Sequence, residues 1–324
     1  MSTTTWTLER LLNGFAQGER IALARAITLV ESQLPEHQRL AAELLKNLPA
    51  PKKTTRRIGL SGTPGVGKST FIESFGLELV KQGLQLAVLA VDPTSQVSGG
   101  SILGDKTRME LLSREDNAFI RPSPSGGALG GVARKTREAI QLCEAFGFDI
   151  VLVETVGVGQ SETAVAQLTD CFMMLLQPGA GDDLQGIKRG ILELVDLVVV
   201  TKADGANQTL AQQATHHYQQ ALHILRQESW HPPVLACSAL EKRGLTEIWL
   251  KMQDYFAHQG EEALKAKRRQ QGLHWLDESL DEELRAWFRR THDKTRFESL
   301  RQAVAAGKTT VHEAVHQLIA QLPQ

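Results

Sequence analysis

The segment Gly62-Thr63-Pro64-Gly65-Val66-Gly67-Lys68-Ser69 fills the pattern G-x-x-x-x-G-K-[ST]. It lies between a strand-like Arg57-Ile58-Gly59-Leu60-Ser61 and a helix-like run from Phe71 to Val80. Strand, glycine loop and helix in that order constrain the fold more than any other stretch of the chain. Glycines let backbone N–H groups curl around a β-phosphate, and the following helix directs its positive dipole end at it. In such a loop Lys68 neutralises the β- and γ-oxygens, Ser69 places its hydroxyl on Mg²⁺, and Thr70 extends the set of nucleotide contacts.

From residue 56 onward short β-branched and apolar runs alternate with longer helical patterns. The runs are Leu86 to Val91, Ile150 to Val153, Phe172 to Leu176, Leu197 to Val200 and Val234 to Cys237. Continuous apolar strands between helices predict an α/β P-loop NTPase whose mostly parallel sheet is covered by helices on both faces. Before the loop, helical spacing in Leu8-Leu11-Leu12-Phe15, in Ile21 to Val30 and in Leu40-Ala41-Leu44-Leu45 predicts three short helices. Pro49 to Thr55 reads as a linker, because two prolines and a basic polar run continue neither pattern. After a helix from about Leu245 to His258 the chain turns charged and helical. Three parts are expected: an N-terminal helical extension (1–52), a nucleotide domain (53–258) and a C-terminal helical region (259–324). The amphipathic stripe of Leu264, Leu273, Trp275, Leu276, Leu280, Leu284, Trp287 and Phe288 makes self-association of that last region plausible.

Composition narrows the partners. Of 324 residues, 36 are Lys or Arg and 37 are Asp or Glu, a net charge of −1 that offers no electrostatic case for binding nucleic acid or an anionic membrane. Cys143, Cys171 and Cys237 are far apart and sit in apolar runs, so reduced core thiols and a cytoplasmic setting are expected. The N-terminus lacks a basic segment followed by an apolar one, and no apolar run approaches about eighteen residues, so the chain reads as soluble and unexported.

The choice of nucleotide falls to Thr201-Lys202-Ala203-Asp204, at the end of the Leu197 to Val200 run. It resembles the N/T-K-x-D guanine motif. A carboxylate at Asp204 can accept from both guanine N1–H and the exocyclic amine, at about 1.5 to 3 kcal/mol for each charge-assisted bond. Lys202 belongs to the same motif, and Ser238-Ala239-Leu240 completes the set through a backbone N–H for guanine O6. Thr201 replaces the commoner Asn that usually ties this loop to the phosphate loop, so weakened nucleotide binding is expected. Asp92 and Glu154 directly follow strand-like runs, which places both carboxylates at the carboxyl edge of the sheet as magnesium-side acids. Asp105, in the glycine-rich segment from Gly99 to Met109, is a third acid able to reach the metal. Gly157 offers an N–H to sense a γ-phosphate. Lys68, Asp92, Asp105 and Glu154 form the expected catalytic set, with Ser69, Asp92, Asp105 and Glu154 on the metal.

Three stretches next to this site read as mobile switch loops: Asp92 to Arg108, Gly157 to Glu162 and Gly179 to Lys188. No glutamine directly follows Gly157, so slow intrinsic hydrolysis is expected. Ser123 to Gly131 reads as a further glycine-rich loop of unassigned ligand. His216, His217 and His223 share one expected helix and read as surface residues rather than metal donors.

Long strings resemble one family. Val91-Asp92-Pro93-Thr94-Ser95, the segment Gly99 to Met109, Val153 to Glu162 and Gly181 to Lys188 are together similar to the MeaB/ArgK/MMAA G-protein chaperones. The resemblance implies a GTPase that assists an adenosylcobalamin-dependent acyl-CoA mutase, typically methylmalonyl-CoA mutase, by gating cofactor loading and preserving activity. It implies homodimerisation through C-terminal helices, and it carries the phosphate and magnesium roles onto Lys68, Ser69, Asp92, Asp105 and Glu154. By the same resemblance Asp182, Gln185 and Lys188 form a switch that communicates with the mutase. Two other readings stand beside it, a metal-delivery GTPase and a kinase or transport ATPase.

Overall fold

A computed structural model describes residues 6–91, 109–123, 129–155, 160–179, 189–225, 229–292 and 294–320. Asp92, Asp105, Gly157, Asp182, Gln185 and Lys188 lie outside the described residues.

Among the described residues seven parallel strands form one sheet in the order β3-β2-β4-β1-β5-β6-β7. They are β1 (Arg56–Gly62), β2 (Leu86–Val91), β3 (Ala118–Ser123), β4 (Ile150–Thr155), β5 (Cys171–Leu176), β6 (Leu197–Val200) and β7 (Val234–Ala236). Every residue of β4, β5 and β6 is buried, as expected for strands covered on both faces. β1, the strand that feeds the phosphate loop, sits centrally between β4 and β5. The α/β class and parallel sheet read from the sequence are those observed.

The three N-terminal helices are α1 (Leu8–Ala16), α2 (Arg20–Glu31) and α3 (Pro35–Lys46). After β1 comes α4 (Lys68–Lys81), and α5 (Leu129–Phe146) precedes β4. Phe15 of α1 meets Phe146 of α5 edge-on at 5.6 Å, which binds the N-terminal helices to the nucleotide fold. On one face of the sheet, Phe71 and Phe75 of α4 stack at 5.3 Å and share a core with Ile58, Leu60, Leu152 and Met173. Next in order are α6 (Gln160–Leu168), α7 (Arg189–Leu192) and α8 (Gln208–Leu225). α9 (Leu245–Thr291) is interrupted at Gly260, and α10 (Lys294–Ala305) and α11 (Val311–Ile319) follow.

Two compact units emerge, Met1–Gln271 and Gly272–Gln324. These bounds differ from residues 52/53 and 258/259, where the sequence placed them. The physical reason lies after Gly260, where Lys267, Arg268 and Gln271 all bond to the base of the sheet at Thr169 and Asp170. Two further expectations are corrected. Ser123 and Leu129 to Gly131 are not loop but the end of β3 and the start of α5. Glu162 is not in a loop but on α6, where it is 3% exposed.

Candidate nucleotide site

The site is assembled where β1, β4 and β6 end. Gly62 closes β1, and a Cβ there would stand 2.7 Å from the Leu175 carbonyl oxygen of β5, so only glycine lets the strand turn against its neighbour. Gly67, at φ +98°, then delivers the chain into α4 at Lys68. The Lys68 ammonium folds back over the loop and donates to the Gly62 and Thr63 carbonyl oxygens at 2.6 and 3.3 Å. Burial lowers its pKa, while the charges of Glu154 and Glu162 act in the opposite direction. Both carboxylates therefore act on the ammonium of the phosphate loop. Ser69 is half-buried in the first turn of α4, and Thr70 beside it is exposed.

A second loop is fastened onto the first. The buried Thr201 hydroxyl donates to the Val66 carbonyl oxygen inside the phosphate loop at 2.7 Å, and the Leu176 carbonyl oxygen lies 3.1 Å away. Thr201 thus makes the tie that its difference from Asn was expected to lose, and the ground for expecting weakened binding is removed. Lys202 adopts φ +55°, a left-handed conformation costly for a non-glycine residue, and donates to the Gly65 carbonyl oxygen at 2.6 Å and to Gln177 Oε1 at 3.3 Å.

Asp204 follows this clamp. Its carboxylate accepts from the Ser238 hydroxyl at 2.7 Å, and that hydroxyl in turn accepts from the Glu241 N–H at 3.0 Å. The Ala203 N–H donates to the Cys237 carbonyl oxygen, and the Arg243 guanidinium donates to the Ala203 carbonyl oxygen at 2.6 Å. Ser238 and Ala239 are buried, whereas Leu240 is exposed. Ser74 of α4 donates to the Ala239 carbonyl oxygen at 2.8 Å, joining this corner to the helix that starts at Lys68.

On the third side Glu154 is not just past its strand, as expected, but its penultimate residue, and it is 4% exposed. Thr155 after it donates through its hydroxyl to Ser61 Oγ at 2.9 Å, and Ser61 donates to Glu162 Oε1 at 3.2 Å. Ser61, Thr155 and Glu162 carry no individual role in the sequence reading. One signal was available: Ser61 is a hydroxyl in an otherwise apolar strand, beside the phosphate loop.

A central parallel strand ending in this loop, with a lysine bent across it, defines a P-loop nucleotide hydrolase. Residues 23–293 match the model of the family described as "Methylmalonyl Co-A mutase-associated GTPase MeaB", and the chain belongs to that family. It is 53% identical over 281 residues to "GTPase ArgK" of Escherichia coli, covering 86% of this chain and 85% of that protein. It is 51% identical over 305 residues to "Methylmalonic aciduria type A homolog, mitochondrial" of Mus musculus, covering 89% of this chain and 72% of the relative. A crystal structure described as "LAO/AO transport system kinase" superposes with a TM-score of 0.76 at 41% identity, covering 97% of this chain and 96% of that one. No helix among the described residues is long and apolar enough to cross a membrane.

Proposed function

We propose that this chain is a GTP-hydrolysing chaperone that binds an adenosylcobalamin-dependent acyl-CoA mutase, gates loading of its cofactor, and protects or restores its activity. One observation carries the nucleotide half of this reading: Asp204 is held by Ser238 in a corner bolted to the phosphate loop through Thr201 and Lys202. A carboxylate fixed there selects guanine by accepting from N1–H and the exocyclic amine, which adenine does not offer in that geometry. The mutase half rests on the family's description as methylmalonyl-CoA mutase-associated.

Within this reading backbone N–H groups of residues 62–70, Pro64 excepted, hold the β-phosphate, and Lys68 moves from the Gly62 and Thr63 carbonyls onto the β- and γ-oxygens. The donors present suit Mg²⁺. Ser69 supplies a hydroxyl at the start of α4, and Glu154 is a carboxylate close enough to act on the Lys68 ammonium, both hard oxygen ligands. Asp92 and Asp105 would complete the set. The bound ion would neutralise charge on the β- and γ-phosphates. Gly157 senses the γ-phosphate, Asp182, Gln185 and Lys188 pass the nucleotide state to the mutase, and the C-terminal helices pair two copies. Three buried free thiols, Cys143, Cys171 and Cys237, support a reducing, cytoplasmic setting.

Two measurements test the proposal. GTP should displace a fluorescent GDP analogue at least a hundredfold better than ATP, and equal displacement would return the reading to a kinase or transport ATPase. Addition of purified methylmalonyl-CoA mutase should raise the slow GTP turnover severalfold. No binding and no stimulation by any acyl-CoA mutase of the source cell would remove the chaperone assignment.

A further inference from the structure

Glu162 is a carboxylate buried where carboxylates are costly. It sits in the first turn of α6 and is 3% exposed, in surroundings where an ion without compensating partners costs several kcal/mol. Its Oε1 accepts from the hydroxyl of Ser61, itself fully buried, one residue before the phosphate loop begins. Ser61 Oγ also accepts from the hydroxyl of Thr155, the buried last residue of β4. A hydroxyl owns one hydrogen, and that of Ser61 is committed to Glu162, so Thr155 must be the donor in its own bond. The chain runs in one direction, Thr155 to Ser61 to Glu162. Its two ends bracket residues 156–161, which include Gly157, and its centre lies in β1.

We propose that Glu162 is a positioning residue for GTP hydrolysis, acting through Ser61 to fix the end of β4, where Glu154 lies, and the first turn of α6 on the strand that feeds the phosphate loop. The inference rests on the GTPase reading above and deepens it. Hydrolysis requires groups placed to within about 1 Å, and such a misplacement alone is able to cost on the order of a hundredfold in rate. GDP binding, which needs no ordered γ-phosphate contact, depends on it far less.

The test compares wild type with Glu162→Gln, Ser61→Ala, Thr155→Val and the double variant Ser61→Ala/Glu162→Gln. Readouts are single-turnover GTP hydrolysis, affinity for a fluorescent GDP analogue, and melting temperature with GDP bound. Each single variant should hydrolyse GTP about tenfold or more slowly, with GDP affinity within about threefold of wild type. The double variant should be no slower than its slower parent, because both substitutions break one chain. Thr155→Val is isosteric and cuts the chain at its other end, so the assignment stays testable if Glu162→Gln does not fold. Hydrolysis within twofold of wild type, a rate loss matched by lost GDP affinity, or rate losses that multiply in the double variant would each overturn it. An inactive wild-type protein counts instead against the GTPase reading itself.

Discussion

At the residue scale the phosphate loop was legible because its demands are local. Glycine is needed where the backbone turns, lysine where charge is needed, and both lie within eight consecutive residues. Thr201 was read less well, since its partner Val66 is 135 residues away and only the fold brings them together. The same holds for Ser61 and Glu162, separated by 101 residues. Thr201→Val keeps the side-chain shape but takes the hydroxyl donor from the Val66 carbonyl oxygen, while the residue 201 N–H still serves Leu176, at a cost of about 1–3 kcal/mol. GDP affinity measured by fluorescence titration should fall about tenfold, whereas Thr201→Asn, which restores a donor, should stay within about threefold. Lys68 adds a pH dependence with a defined sign. Its pKa is lowered by burial, so on raising the pH the phosphate-binding cation is lost before an ordinary lysine would deprotonate. Affinity for GDP should therefore be full at neutral pH and decline on the alkaline side ahead of the normal lysine range. Because bound phosphate favours the charged lysine, calorimetry in buffers of different ionisation heat should show proton uptake on binding there.

At the element scale strands with unbroken apolar runs were readable, and the two misses have physical causes. β3 was not foreseen because Ala118-Phe119-Ile120-Arg121-Pro122-Ser123 mixes a charge and a proline into a short run, which an edge strand tolerates. The stretch after Gly260 reads as charged and helical, but the sequence hides that two of its charges, Lys267 and Arg268, are only partly exposed and bond back onto the foot of the sheet. Arg268 makes two bonds to the fully buried Asp170 carboxylate, at 2.8 and 2.6 Å, and lies 3.4 Å from Glu144, which is itself paired with Arg57 at the start of β1. The Asp170 carbonyl oxygen accepts from Tyr255 and Lys267, so one residue at the foot of β5 collects both arms of the interrupted helix. Arg268→Ala would leave Asp170 buried without its guanidinium and should destabilise the first unit by about 3–5 kcal/mol. Urea unfolding reads that loss directly, and a change below about 1 kcal/mol would mean that the contact is screened. Gly260, with φ 72° and ψ 161°, is a conformation open in practice only to glycine, so Gly260→Ala should cost about 1–3 kcal/mol despite open space around its missing side chain.

At the scale of the whole molecule, the second unit carries the feature that a single copy leaves unexplained. Leu273, Leu276, Leu280 and Leu284 recur at spacings of three and four on α9, so they share one helix face, and each is more than half exposed. Fully burying one leucine is worth about 1.5–3 kcal/mol, and four on each copy would supply much of what a stable helical pairing needs. Of the charged residues between them, Glu278 and Glu282 lie on the opposite face of the helix, and Asp277 and Asp281 flank the stripe. A second copy presenting the same stripe is the occupant that the homodimer reading supplies. Leu276→Asp with Leu280→Asp places two charges on that seam, where each would be buried without a partner. Light scattering at micromolar concentration should report a dimer for the unaltered chain and a monomer for this variant. Both positions lie in the second unit, whereas the phosphate loop, Thr201 and Asp204 all lie in the first. Basal GTP turnover should therefore stay within about twofold while the assembly is lost. A variant that remains dimeric would move the contact off this stripe, and one that loses turnover together with assembly would mean that hydrolysis needs the paired state.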